Sequence, residues 1–296
     1  MAKSAIVEVN QVTKSYGSMK ALDRISFRLE ENQICGLLGR NGAGKTTLMH
    51  ILTAQLFASS GDVQLFGEAP YENDAVLRRV CFIKESQQYP RSLKVRDVLA
   101  LSASFFPNWD PEFALQLANE FGLPLNRRIS KLSRGMHSSV GIIIGLASRA
   151  SLTIFDEPYL GLDAVARGLF YDRLLSDYAE HPRTILLSTH LIDEVSRLLE
   201  HVLLIDGGTL LLDEDAEELR SSAFTVTGPK SKVETFAQGR TALHTESVGG
   251  LASLTVRGTV SPEIKRQASE HGLELGPVSL QQLFIHLTQG KAVGTS

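Results

Sequence analysis

Cysteine is scarce: Cys35 and Cys81 are the only two among 296 residues. That excludes a disulfide framework, and the pair stands in no metal-ligand spacing. Both fall in apolar stretches, so buried, reduced thiols in a cytosolic protein are expected. Long apolar runs are also missing. The longest lies near Val140 to Ala147, far short of the ~18 residues of a spanning helix, so the chain is not expected to cross a bilayer by itself. Its start, Met1-Ala2-Lys3-Ser4, leads into a strand-like pattern, and no secretory apolar core is expected there. Charge of one sign is not in excess either. Thirty Lys and Arg face 33 Asp and Glu, a formal net charge of −3, so no global field draws the chain to nucleic acid. Repeats and low-complexity runs are absent. What remains is the composition of an ordinary globular protein, 43% hydrophobic and 21% charged, long enough for one large or two modest domains.

One stretch stands out. Gly39-Arg40-Asn41-Gly42-Ala43-Gly44-Lys45-Thr46-Thr47 fits the G-x-x-x-x-G-K-[ST] phosphate loop. Ile34 to Leu38 before it reads as a buried strand, and Leu48 to Leu52 after it as the first turns of a helix. Glycines let successive backbone N–H groups converge on an anion. A helix N-terminus adds unpaired donors and partial positive charge. Lys45 can reach outer phosphates, and the Thr46 hydroxyl can hold magnesium. Chance would place this motif in roughly one chain in a hundred of this length.

The remaining pattern alternates strands and helices. Ile6 to Val12 and Ala21 to Leu29 read as half-exposed strands, joined to the loop strand by a turn at Glu31-Asn32-Gln33. Gly61 to Gly67 and Val80 to Ile83 read as strands, with a short helix over 74–79 between them. From Val95 the period is helical through Leu99, Phe113, Leu117 and Phe121, with Pro107, Pro111 and Pro124 as breaks. A second helical stretch starts at Ser133. Leu152 to Phe155 is a buried strand ending in Asp156, Ala166 to Tyr178 an amphipathic helix, and Thr184 to Leu187 a further buried strand. Ile192 to Leu199 reads as helix, and a hairpin turns at Asp206-Gly207-Gly208. After Arg220 come weaker strands at 224–227, 251–257 and 273–276, with helices over 263–271 and 280–288.

Asp156 follows four apolar residues and precedes Glu157 and Pro158. In a P-loop fold its strand is expected beside the one feeding the loop, with its carboxylate placed for magnesium. Glu157 would stand at the strand's carboxyl end, where a carboxylate can deprotonate an attacking water. Asp-Glu-Pro alone would equally well just end a strand; Lys45 upstream favours the site.

With these residues the chain resembles the nucleotide-binding subunits of ABC transporters, from about Ile6 to about Leu219. Tyr16 stands where the family has an aromatic that stacks on adenine. Leu132-Ser133-Arg134-Gly135-Met136 resembles the family's LSGGQ signature, Leu162-Asp163 its D-loop, and His190 its switch histidine. Taken singly, Tyr16 would pass as a surface tyrosine, Asp163 as a helix cap and His190 as a capping or core histidine. Their order and spacing relative to Lys45 and Asp156 make the set specific.

The resemblance implies an α/β fold: a P-loop NTPase sheet, an antiparallel β subdomain and a helical subdomain. These make an ATP-binding domain over residues 1–220, with the helical subdomain near 85–150. A small C-terminal α/β appendage covers 221–296. It further implies an ATPase that powers transport, as export, through a separate membrane permease on the inner face of the cell membrane. ATP and Mg2+ are its cofactors. Gly39, Asn41, Gly42, Ala43, Gly44, Lys45, Thr46 and Thr47 bind nucleotide, Thr46 and Asp156 serve magnesium, and Glu157 and His190 are catalytic. Ser133 and Gly135 act on the nucleotide of a second subunit in a head-to-tail dimer, homo- or heteromeric, with Asp163 at the seam.

Three departures mark this chain. Arg134 and Met136 replace the signature's central glycine and its glutamine, with Arg134 expected to face solvent. Glu85 stands where the Q-loop glutamine is expected, with Gln87 and Gln88 as nearby substitutes, and a carboxylate there still ligates magnesium. Tyr159 stands where a small residue is common. The segment Lys84 to Pro90, Phe105 to Asp110 and the C-terminal Val278 to Phe284 resemble bacterial exporters with separate membrane subunits. Phe106 and Trp109 suit the core of the helical subdomain. The alternative reading is an ABC ATPase acting in the cytosol as a regulatory or assembly factor. Translation factors of the family repeat the cassette, and repair members insert coiled coils or zinc modules; this chain has one cassette and neither insertion.

Overall fold

A computed structural model describes residues 4–85 and 87–289. The chain runs β1 (Ala5–Tyr16), β2 (Met19–Glu30), β3 (Ile34–Leu38), α1 (Lys45–Leu52), β4 (Ser60–Leu65), α2 (Asp74–Leu77) and β5 (Val80–Ile83). Next come α3 (Val95–Ala103), α4 (Pro111–Glu120), α5 (Arg134–Ala147), β6 (Leu152–Asp156), α6 (Ala164–Glu180), β7 (Thr184–Thr189) and α7 (Ile192–Val195). Then follow β8 (His201–Asp206), β9 (Thr209–Asp215), α8 (Ala216–Ser221), β10 (Ala223–Pro229) and α9 (Lys230–Ala237). Last are β11 (Ala242–Val248), β12 (Leu251–Arg257), α10 (Pro262–Glu270), β13 (Glu274–Pro277) and α11 (Leu280–Gln289). The described residues divide into two compact units. One takes the chain up to His190 with Leu198–Asp213, the other Leu191–Arg197 with the residues from Glu214 on.

In the first unit, β2, β1 and β4 form an antiparallel sheet in that order. Val7, Val9 and Val12 of β1 are buried with Ile25, Phe27 and Leu29 of β2, which is the alternation the sequence carries. The central sheet has the order β5-β6-β7-β3-β8-β9. Its strands from β5 to β8 pair in parallel. Strands β3, β6 and β7 are buried at every residue, as a parallel sheet covered on both faces requires.

One expectation is corrected here. β6 does not lie beside β3. Strand β7 stands between them, hydrogen-bonded to both, and β8 takes the other edge of β3. The register pairs Leu38 with Thr189 and Asp156 with Ser188. The carboxyl ends of β3, β7 and β6 are therefore level, where ligands sit in open α/β sheets.

Caps explain the helix starts. Asp110 accepts the Phe113 N–H, and Pro111 is the first residue of α4. The expected break at Pro111 is thus a helix start, because proline costs nothing where the N–H has no partner. α7 is shorter than the expected 192–199 and ends at Val195. Beyond it a turn over residues 196–198 leads to Leu199, which packs over Gly36, where an added Cβ would sit 2.5 Å from the Leu199 Cδ1. Asn32, in the turn before β3, has φ 56°, the left-handed backbone expected of it. Both cysteines are buried and free. Burial pushes their pKa values up, that of Cys81 to about 12, so each packs as a small hydrophobe.

The second unit has the β-α-β-β-α-β order of a split βαβ fold, with an antiparallel sheet β11-β12-β10-β13. Phe224, Val226, Val233, Phe236, Leu254 and Val256 make its core. β11 and α9 were absent from the sequence reading. β11 is a largely exposed edge strand, so it carries little apolar alternation. Among the described residues no helix is long and apolar enough to cross a membrane.

Candidate functional site

The loop of residues 39–44 joins β3 to α1. Gly44 has φ 108°, and a Cβ on it would stand 2.6 Å from the Ala21 carbonyl oxygen. Gly39 is bounded in the same way by the Ile205 carbonyl oxygen at 2.5 Å. Neither position accepts a side chain. The Gly208 N–H donates to the Ala43 carbonyl at 3.1 Å, so the β8–β9 turn holds the loop from behind. The N-terminus of α1 opens on this loop, with the unpaired N–H groups that favour an anion.

Lys45 is only 7% exposed. Its ammonium donates to the Gly39 carbonyl at 2.7 Å and lies 3.9 Å from Glu157 Oε1. Burial pushes its pKa down, and the carboxylates of Glu157 and Asp156 push it back up. Beside it the Thr46 hydroxyl donates to Asp156 Oδ2 at 2.8 Å. These contacts join residues far apart in sequence because β3 and β6 end level.

Glu157 sits one residue past β6 and has φ 49°. A non-glycine residue in that region is strained and is held by its surroundings. Its N–H donates to the Ser188 carbonyl at 3.3 Å. Its side chain is buried, with Oε2 2.6 Å from His190 Nδ1 and 2.5 Å from the Tyr159 hydroxyl. His190 thus meets the Glu157 carboxylate, a contact nothing in the sequence specified.

A cleft of about 710 Å³ covers this group. It is lined by Asn41 through Thr47, and by Glu85, Asp156, Glu157 and His190. Tyr16 and Met19 bound it as well, both with exposed side chains. Tyr16 closes β1 just before the turn at Gly17, and the Lys14 ammonium lies 5.3 Å from its ring centre. Met19, Lys20, Leu160, Gly207 and Gly208 also line the cleft and were missed in the sequence. The Gly207-Gly208 turn was visible as a hairpin; nothing local ties it to the loop.

Ser133, Gly135 and Asp163 do not line the cleft. Ser133 caps α5, its Oγ accepting the Met136 N–H at 3.2 Å. A Cβ on Gly135 would lie 2.7 Å from the Gly161 carbonyl oxygen. The Ser138 hydroxyl donates to the Leu160 carbonyl at 2.6 Å. The start of α5 is therefore packed tightly on the 160–161 turn. Asp163 caps α6, accepting the Ala166 N–H at 2.8 Å. Arg134 is largely exposed, as expected, but not free: its guanidinium lies 3.8 Å from the half-exposed Glu85. Gln87 and Gln88 do not line the cleft.

A cluster of backbone donors, one buried ammonium and two buried carboxylates suits a polyanion that carries a divalent cation. The family model described as ABC transporter matches residues 22–160. The bacitracin transport ATP-binding protein BcrA of Bacillus licheniformis is 31% identical over 220 residues, 73% of this chain and 72% of that protein. The Nod factor export ATP-binding protein I of Paraburkholderia xenovorans (strain LB400) is 29% identical over 305 residues, 96% of this chain and 97% of that protein. A solved ATP-binding cassette, described as a dimer in a post-hydrolysis state bound to ADP and Pi, matches with a TM-score of 0.63 at 21% identity. That match covers 71% of this chain and 98% of the cassette, and it bears on the fold alone.

Proposed function

Since the chain belongs to the ABC transporter ATP-binding family, we propose that its cleft turns over ATP with magnesium to drive a separate integral membrane permease. The observation that carries this is the convergence of Lys45, the Thr46–Asp156 pair and the Glu157–His190 pair at level strand ends.

The residues take distinct roles. Gly39, the amides from Asn41 to Thr47, and Lys45 bind the phosphates, and Tyr16 stacks on the base. Thr46, Asp156 and Glu85 hold magnesium; the 2.8 Å Thr46–Asp156 contact brings two hard oxygens together, as that ion requires. Bound there, magnesium neutralises charge on the phosphates. Glu157 accepts the proton of the attacking water, and His190 hydrogen-bonds the γ-phosphate.

Two copies act together, as a homodimer or with a related ATPase. Ser133, Gly135 and Asp163 lie off the cleft of their own chain; Ser133 and Gly135 serve the nucleotide of a second subunit, and Asp163 lies at the seam. The α5 N-terminus, capped by Ser133, is built to face an anion. The γ-phosphate then joins the subunits, and its loss opens them. The helical region near 85–150 docks the permease on the inner face of the membrane. Residues 221–296 form an accessory domain. Relatives named for bacitracin transport and Nod factor export support export as the direction.

Two experiments test this. Detergent extracts of membranes holding the tagged protein should yield an integral subunit with several spanning helices; recovery of the ATPase without one counts against the permease. Glu85→Gln and Glu85→Ala should each shift the magnesium dependence of the ATPase, the alanine variant needing about tenfold more metal. Variants that match the parent at every magnesium level remove Glu85 from the metal.

A further inference from the structure

We propose that Tyr159 is a positioning residue of the hydrolytic centre, whose hydroxyl holds Glu157 and His190 in one arrangement. The inference rests on the reading of Glu157 as the base. Tyr159 is the largest side chain that the fold buries almost completely, at 1% exposure. A tyrosine so enclosed must satisfy its hydroxyl, and here every bond goes to the site. The hydroxyl lies 2.5 Å from Glu157 Oε2, 2.7 Å from Thr189 Oγ1 and 3.2 Å from the backbone nitrogen of His190.

The hydrogen-bond inventory assigns the directions. The His190 N–H only donates, so the phenol oxygen accepts from it. A carboxylate only accepts, so the single phenol proton goes to Glu157. The second phenol lone pair is left for the Thr189 hydroxyl, which donates. All three capacities are then used. The 2.5 Å separation is that of a charge-assisted O–H···O⁻ bond. Burial, and the bond to Glu157, push the phenol pKa upward, which keeps the proton on Tyr159.

The consequence is geometric. Oε2 of Glu157 takes two donors, the Tyr159 hydroxyl and His190 Nδ1–H. Oε1 remains on the Lys45 side, 3.9 Å from the ammonium. The same hydroxyl fastens the His190 backbone, so one group sets both the carboxylate and the histidine. Glu157 makes these contacts with a positive φ, a backbone conformation that persists where the surroundings fix it. Thr189 closes β7 opposite Leu38 of β3, so the anchor of the network is the sheet register itself. A small side chain at position 159 cannot reach any of these atoms.

Tyr159→Phe keeps the ring and deletes the hydroxyl. The expected result is a kcat lowered about 10- to 100-fold, with KM for ATP and nucleotide affinity within about twofold of the parent. Thr189→Val should lower kcat less, and adding it to Tyr159→Phe should cost nothing further, because both remove one network. A Tyr159→Phe kcat within twofold of the parent overturns the inference. So does a kcat that falls only together with nucleotide affinity, or a Thr189→Val effect that multiplies in full with that of Tyr159→Phe. If Tyr159→Phe proves unstable by thermal melting, Thr189→Val carries the test alone: a parent-like kcat overturns, a lowered kcat at constant KM supports. Glu157→Gln, assayed alongside, separates the two readings. Parent-like turnover there removes the base and this inference with it. A stalled Glu157→Gln beside a parent-like Tyr159→Phe removes this inference alone.

Discussion

Glu157→Gln is expected to release phosphate about 10²- to 10⁴-fold more slowly than the parent while still binding ATP. The amide has the shape of the carboxylate, so its oxygen still accepts the hydrogen bonds from Tyr159 and His190. What it loses is the capacity to take a proton from water. Binding depends on other groups: the loop amides, Lys45 and Thr46. If the γ-phosphate joins two copies as proposed, a slow enzyme that keeps its nucleotide should also keep its partner. Phosphate release in single turnover measures the first effect, and light scattering with and without ATP the second. Normal turnover removes Glu157 as the base. A monomer at saturating ATP, in a variant that does stall, removes the paired closure.

Lys45→Met is expected to weaken ATP binding about 100-fold and to abolish measurable turnover. Methionine keeps the aliphatic stem in its buried slot, so the change is mainly one of charge. A hydrogen bond to a charged group contributes about 1.5–3 kcal/mol, and Lys45 reaches more than one phosphate. In the parent the ammonium is already out of water, held by the Gly39 carbonyl and close to Glu157. Its desolvation has therefore been met in folding, and ATP meets a fixed charge. Titration with a fluorescent nucleotide checks the affinity, and thermal melting checks that the variant folds. Parent-like affinity would show that the loop amides suffice.

The phosphate loop was legible because its chemistry is local. Glycine spacing, a preceding apolar run and a following helix are all within about a dozen residues, and backbone geometry follows from them directly. Asp156 and Glu157 were legible for a related reason: they follow a four-residue apolar run that reads as a buried strand, whereas His190 stood out only through its resemblance to the family's switch histidine and its place after Lys45 and Asp156. The caps at Ser133 and Asp163 could be read from residue type alone. Tyr159 was visible as an oddity without a role, since nothing near it in sequence names the Glu157, Thr189 and His190 atoms it meets. The cleft wall formed by Met19 and Gly207-Gly208 was missed for the same reason. Pro111 was misread because one residue type both breaks helices and begins them, and the Asp110 cap decides which.

By itself the sequence determined the phosphate-loop motif and the order of the candidate site groups along the chain, because these are set by spacing and by backbone preference over short spans. Only the tertiary structure decided which strands are neighbours. It put β7 between β3 and β6, set Thr189 level with Leu38, drew Arg134 to Glu85 and pressed Gly135 against Gly161. Hydrophobic period shows that a strand is buried, but every buried strand looks alike to it. Strand order and register come from nonlocal hydrogen bonds and packing, and in this protein they place Glu157 beside Lys45 and His190.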